Sequence, residues 1–75
     1  MYEKVVAVLA DVLSISADKI KPESNIAEDL GADSLDRLEL LSRLEEEADV
    51  TLPEEDIEGL VTVADVVAEL QKLMK

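Results

Sequence analysis

The sequence contains no histidine, no cysteine, no phenylalanine and no tryptophan; Tyr2 is the sole aromatic residue, and glycine and proline occur twice each. Without histidine, a serine nucleophile lacks its commonest base. Without histidine or cysteine, the usual nitrogen and sulfur ligands of a metal are absent. The lack of cysteine also removes disulfides and thiolate chemistry, and leaves the redox compartment undetermined. With one aromatic ring there is no platform on which bases could stack, and a surplus of negative charge repels phosphate backbones, so nucleic acid is excluded as a partner. No apolar run approaches the length of a membrane span. The first fourteen residues, interrupted by Glu3, Lys4 and Asp11, do not resemble a secretory signal, so the expected location is the cytoplasm.

What remains is acidic and aliphatic. Nineteen acidic against seven basic residues give a net charge of -12, while 48% of the chain is hydrophobic, supplied almost entirely by Leu, Val, Ile and Ala. That apolar content is too high for a disordered acidic tail. Seventy-five residues make one domain, expected to cover 1–75 and to be monomeric, and a chain of this size buries roughly 60% of the surface it exposes when unfolded. Its stability should lie at about 4 to 11 kcal/mol, with self-repulsion opposing compaction, so salt or divalent cations should stabilise it.

Apolar residues recur at helical spacing in three places. Tyr2, Val5, Val6, Leu9 and Leu13 predict a first helix ending near Ser14. Leu35, Leu38, Leu41, Leu44 and Ala48 predict a second. Val63, Val66, Val67, Leu70, Leu73 and Met74 predict a helix running to the C-terminus, opened by a capping box of Thr62 with Asp65. Residues 16–28 read as a long loop anchored by Ile20 and Ile26, with a helical turn near Ala17 to Ile20. Pro53, Glu54 to Asp56 and Gly59 allow one short helix between loops. No strand alternation and no internal repeat is present. The expected fold is all-α: a small four-helix bundle of three main amphipathic helices and one short one.

The candidate functional segment is Glu28-Asp29-Leu30-Gly31-Ala32-Asp33-Ser34-Leu35-Asp36. Gly31 permits a tight turn, and Ser34 stands at the start of the second helix with its hydroxyl near solvent, while Asp36 places negative charge at the positive end of the dipole. Read physically, Ser34 is either an exposed functional hydroxyl or only an N-cap. The acidic residues, fourteen of nineteen between 23 and 58, form either a solvated face or a recognition surface. The clusters Glu45 to Glu47 with Asp49, and Glu54 to Asp56 with Glu58, lack the alternating pattern of an EF-hand, so weak diffuse divalent binding is the most they suggest. The requirements of an active site are not met, and the chain is not expected to be an enzyme.

The string at 28–36, followed by Glu39-Leu40, by Leu44-Glu45-Glu46-Glu47, by Leu52-Pro53 and by Thr62-Val63, resembles the bacterial acyl carrier protein family over essentially the whole chain. The resemblance implies an acyl-carrier-like helical bundle. It further implies that Ser34 receives 4'-phosphopantetheine from coenzyme A through a phosphopantetheinyl transferase, and that acyl intermediates ride as thioesters on that arm. The implied partners are acyltransferases, ketosynthases and related enzymes of fatty acid or type II polyketide biosynthesis. Their basic docking patches would meet a surface including Asp33, Leu35, Asp36, Glu39, Glu45 and Glu46.

The chain departs from the family pattern at several positions. Ile26 and Ala48 stand where many members carry Phe, which either reshapes the acyl cavity or is absorbed by repacking. Arg37 and Arg43 bring positive charge to an acidic helix. They are expected either to pair locally with Asp33, Glu39 or Glu47, or to discriminate among partner enzymes in a specialised pathway. The reading from a different class is an acidic helical interaction domain in which Ser34 serves only as a cap.

Overall fold

The computed structural model describes residues 1–74. Helix α1 spans Tyr2–Leu13 and ends at Ser14, whose left-handed backbone (φ 55, ψ 46) lets its N–H donate to the carbonyl of Ala10. Val5, Val8 and Leu9 are its buried residues. Val8 was absent from the expected stripe, whereas Tyr2, Val6 and Leu13 are only half-buried. At about 100° per residue, Val6 and Leu13 fall on the flank of a face centred near Val5, with Val8 and Leu9 on either side of it.

The loop that follows is stitched rather than slack. A 3-10 turn over Ala17–Lys19 is capped by Ser16, whose hydroxyl accepts from the Asp18 N–H. Ile20 and Ile26 are buried, as their isolation among polar residues predicts. Ser24, the one buried polar residue among the described residues, accepts from the Lys21 N–H through its hydroxyl at 3.0 Å. Asn25 forms a β-bridge with Thr62, flanked by Ile26 N–H to Val61 carbonyl at 3.0 Å and Val63 N–H to Ser24 carbonyl at 3.1 Å.

Helix α2 spans Ser34–Ala48 and ends at Asp49 in the left-handed region. Its buried residues are Leu40, Leu41, Leu44 and Ala48, while Leu35 is 75% and Leu38 66% exposed. The expected stripe beginning at Leu35 is thus corrected. Each step of three residues falls about 60° short of a full turn, so three such steps carry the chain from Leu35 to the opposite side at Leu44. Only the side holding Leu40 and Leu44 meets the core.

Helix α3 is a single turn, Glu54–Ile57, entered through Pro53 with no side-chain cap. Helix α4 spans Val63–Met74 and buries Val63, Val66 and Leu70. Its capping box forms as the spacing predicts: the Asp65 N–H donates to Thr62 Oγ1 at 3.1 Å, and Asp65 Oδ2 accepts from the N–H groups of Thr62 and Val61 at 3.0 and 3.1 Å. Met74, expected in the apolar stripe, is 45% exposed at the helix end. Helix α1 packs against both α2 and α4. The four helices form the expected bundle around one aliphatic cluster.

Candidate functional site

The segment leading into α2 sets the position of Ser34. Gly31 has φ +75, and a Cβ built on it would meet nothing within 4 Å, so glycine is favoured by backbone conformation rather than by crowding. Ala32 is buried and its N–H donates to the Ile26 carbonyl at 3.1 Å. Asp33 then caps the helix from an extended backbone. Its carboxylate accepts from the Asp36 N–H at 2.9 Å, and the Asp36 carboxylate accepts from the Asp33 N–H at 3.3 Å.

This corrects the assignment of Ser34 as the N-cap. The reciprocal pair satisfies the free donors through Asp33 and Asp36, and Ser34 is the first residue within the helix, exposed to solvent. Its hydroxyl is not engaged by the cap. The reading of Ser34 as merely a capping residue therefore loses its physical basis.

Ser34, Leu38 and Leu41 lie at i, i+4 and i+7, on one face of α2. Together with Arg37 of α2 and Ile57 and Glu58 of the α3 segment they line an open hollow of about 380 Å³. Leu38 and Leu41 were legible from spacing; Ile57 and Glu58 arrive from a different element and carry no local signal. Arg37 also lines a second hollow, of about 180 Å³, beside Ile26 and Leu60. Its Nη2 donates to the Leu60 carbonyl at 3.4 Å.

The remaining recognition candidates divide. Leu35, Glu39 and Glu46 are exposed. Glu45 is turned to structural use, its Oε2 accepting from the Leu52 N–H at 2.7 Å, which fastens the chain after α2. Arg43 makes an ion pair with Asp11 of α1 at 2.7 Å. That bond, and then the Asp11 charge with smaller help from Glu39 and Glu47, raises the guanidinium pKa against the opposing effect of burial. Neither arginine makes the local pairing expected of it: Arg37 reaches a carbonyl and Arg43 a neighbouring helix. Nine residues separate Arg43 from Ser34, or half a turn around the helix, so the two point to opposite sides. Asp33, Ser34, Leu35, Asp36 and Arg37 gather at the N-terminal end of α2, while Glu45 and Glu46 lie about 17 Å further along its axis.

A third hollow, of about 410 Å³, lies between α3 and α4 and is lined by Glu55, Asp56, Asp65, Glu69 and Lys72 among others. Glu69 Oε2 is closed off from solvent and has no donor partner among the described residues. Hydrogen bonding with Asp56, then desolvation and the Asp56 charge, raise the Glu69 pKa against the opposing charge of Lys72. Asp65, one turn earlier, is shifted the other way, its pKa lowered first by the backbone donors of Thr62 and Val61. Among the described residues no three acidic side chains converge as a metal site would require.

Comparison with known proteins agrees with this geometry. The family model for the phosphopantetheine attachment site matches residues 3–70. An acyl carrier protein of Clostridium perfringens is 51% identical over 67 residues, covering 89% of this chain and 88% of the relative. One from Campylobacter jejuni subsp. doylei is 50% identical over 74 residues, covering 99% and 96%. With a family model spanning most of its length and relatives at half identity across nearly the whole chain, the protein belongs to the phosphopantetheine-attachment family of acyl carrier proteins.

Proposed function

We propose that this protein carries acyl intermediates on a 4'-phosphopantetheine arm attached to Ser34. The observation that carries the assignment is the separation of cap from hydroxyl. Asp33 holds the helix start, leaving the Ser34 hydroxyl exposed and available for modification beside a hollow with apolar walls at Leu38, Leu41 and Ile57. These residues fit a flexible arm whose far end is apolar. Bound there, the arm supplies a terminal thiol that holds acyl groups as thioesters. The chain itself is a carrier and not an enzyme: it presents Ser34 to a phosphopantetheinyl transferase and offers the hollow as partial shelter. A tether of this kind raises the local concentration of cargo at each partner's active site.

The partners we propose are acyltransferases, ketosynthases and related enzymes of fatty acid or type II polyketide synthesis, in the cytoplasm. Among the described residues no helix is long and apolar enough to cross a membrane. Asp33, Leu35, Asp36, Glu39 and Glu46 offer a negative, partly apolar surface suited to basic docking patches. Such complementarity speeds encounter more than it tightens binding, as suits a carrier that must be released. Arg43 is largely neutralised by Asp11, so any discrimination among partners falls chiefly to Arg37.

The test is intact mass before and after incubation with coenzyme A and a broad-specificity transferase. Wild type should gain one phosphopantetheine and Ser34→Ala none. Because Asp33 retains the cap, Ser34→Ala should also keep its thermal midpoint close to that of wild type. Wild type left unmodified, beside a control carrier that is labelled, would refute the assignment.

A further inference from the structure

An arm joined to Ser34 brings a phosphodiester, and with it a permanent negative charge, to an unwelcoming place. Asp33 and Asp36 flank Ser34 in sequence, Glu58 lines the same hollow, and the whole chain carries a net charge of -12. The basic residue lining this hollow is Arg37, three residues beyond Ser34 and adjacent to it on the helix surface. Arg43 is committed to Asp11 on the opposite side. Arg37 is half-buried and makes no ion pair among the described residues. Its one side-chain hydrogen bond among the described residues, to the Leu60 carbonyl, is 3.4 Å long, beyond the usual range for an N–H donor. Its remaining guanidinium donors are therefore available to a stronger acceptor.

We infer that Arg37 is the internal counter-ion of the arm, receiving the phosphodiester oxygens through its guanidinium once Ser34 is loaded. An anionic phosphate is a better acceptor than a peptide carbonyl, and the planar guanidinium matches two of its oxygens at once. The first segment of the arm is then held over the hollow lined by Leu38, Leu41 and Ile57 instead of being repelled from it. Arg37 acts here as a positioning residue.

This inference rests on Ser34 as the attachment point, and the experiment separates the two. Wild type, Arg37→Lys and Arg37→Gln are loaded with excess transferase and confirmed as holo protein by intact mass. Phosphorus NMR is then recorded at low and high salt, with proton–nitrogen spectra of the Arg37 side chain in apo and holo wild type. The expected result is a phosphorus resonance displaced in Arg37→Gln, less so in Arg37→Lys, with the displacement shrinking at high salt. In wild type the Arg37 side-chain signals should move and exchange more slowly with solvent on loading. Phosphorus resonances that coincide in all three proteins, with Arg37 signals unchanged between apo and holo, would overturn the inference and leave Ser34 in place. If Arg37→Gln does not fold, the apo and holo wild-type spectra decide alone. Wild type that takes up no arm at all would overturn both.

Discussion

The two sides of α2 are built differently. On the α1 side, Leu40 and Leu44 are each 1% exposed, and the ion pair between Arg43 and Asp11 closes the edge. On the α3 side, Leu38 stands 66% exposed, Arg37 makes one long hydrogen bond, and the neighbour is a single helical turn without a side-chain cap. One side has its interactions completed within the chain; the other is left with unspent apolar surface and unspent donors. In a protein of marginal stability, that asymmetry concentrates the folding energy where nothing need enter and leaves the site side open.

The sharpest way to break this comparison is to truncate a leucine on each side. Leu44→Ala should cost about 2 to 5 kcal/mol, a large share of the total, and lower the urea midpoint accordingly. Leu38→Ala should stay within about 0.5 kcal/mol of wild type. Equal losses would mean that both sides are packed alike.

A second test sharpens the comparison by addressing what holds α3 to α4. The folded state raises the Glu69 pKa, so the bond shared with Asp56 contributes stability that is complete below the ordinary carboxylate range. It is lost as pH rises through the raised value. Glu69→Gln supplies a permanent donor to Asp56, so it should be more stable than wild type at neutral pH and should flatten this part of the pH profile. Glu55, Asp65 and Lys72 line the same hollow, and their charges are unchanged by the substitution. Asp65 contributes in the opposite sense: its lowered pKa gives stability present above the ordinary range and lost as pH falls. Thermal midpoints measured across pH for both proteins would decide the matter; parallel profiles would rule out a raised Glu69 pKa.

The smallest effect is expected at the outer edge of the packed side. Arg43→Gln removes an exposed ion pair, and the loss should be slight at low salt and absent at high salt. Denaturant midpoints at two ionic strengths check it. A large loss that salt does not reduce would show that Arg43 serves packing through its stem instead of charge.

Much of this was legible in the sequence because helices repeat every 3.6 residues and end on recognisable residues. Thr62 and Asp65 announced the start of α4, and isolated Ile20 and Ile26 announced the anchors of the long loop. The same spacing of three was present at Asp33 and Asp36, yet Ser34 drew the assignment, because two good capping residues in succession compete until the reciprocal partner is considered. The stripe through Leu35 failed for a geometric reason, since repeated steps of three drift around the cylinder. Other features carried no local signal. Asp11 and Arg43 are 32 residues apart, and Arg37 and Leu60 are 23 apart. Ile57 and Glu58 reach the hollow only through the tertiary fold. The proposed attachment serine was singled out by its surrounding motif; what leaves its hydroxyl out of the cap became visible only in three dimensions.

The bridge between Asn25 and Thr62, with the hydrogen bonds on either side of it, has a topological meaning. It fastens the chain just ahead of α2 to the chain just ahead of α4, so that α2 and α3 lie on a ring closed at its base. A ring of this kind can loosen internally without separating the segments that precede and follow it, and local opening in proteins takes place in such cooperative units. Opening at α3 would therefore leave Asn25 and Thr62 paired, and the two segments they belong to joined, at the base of the ring.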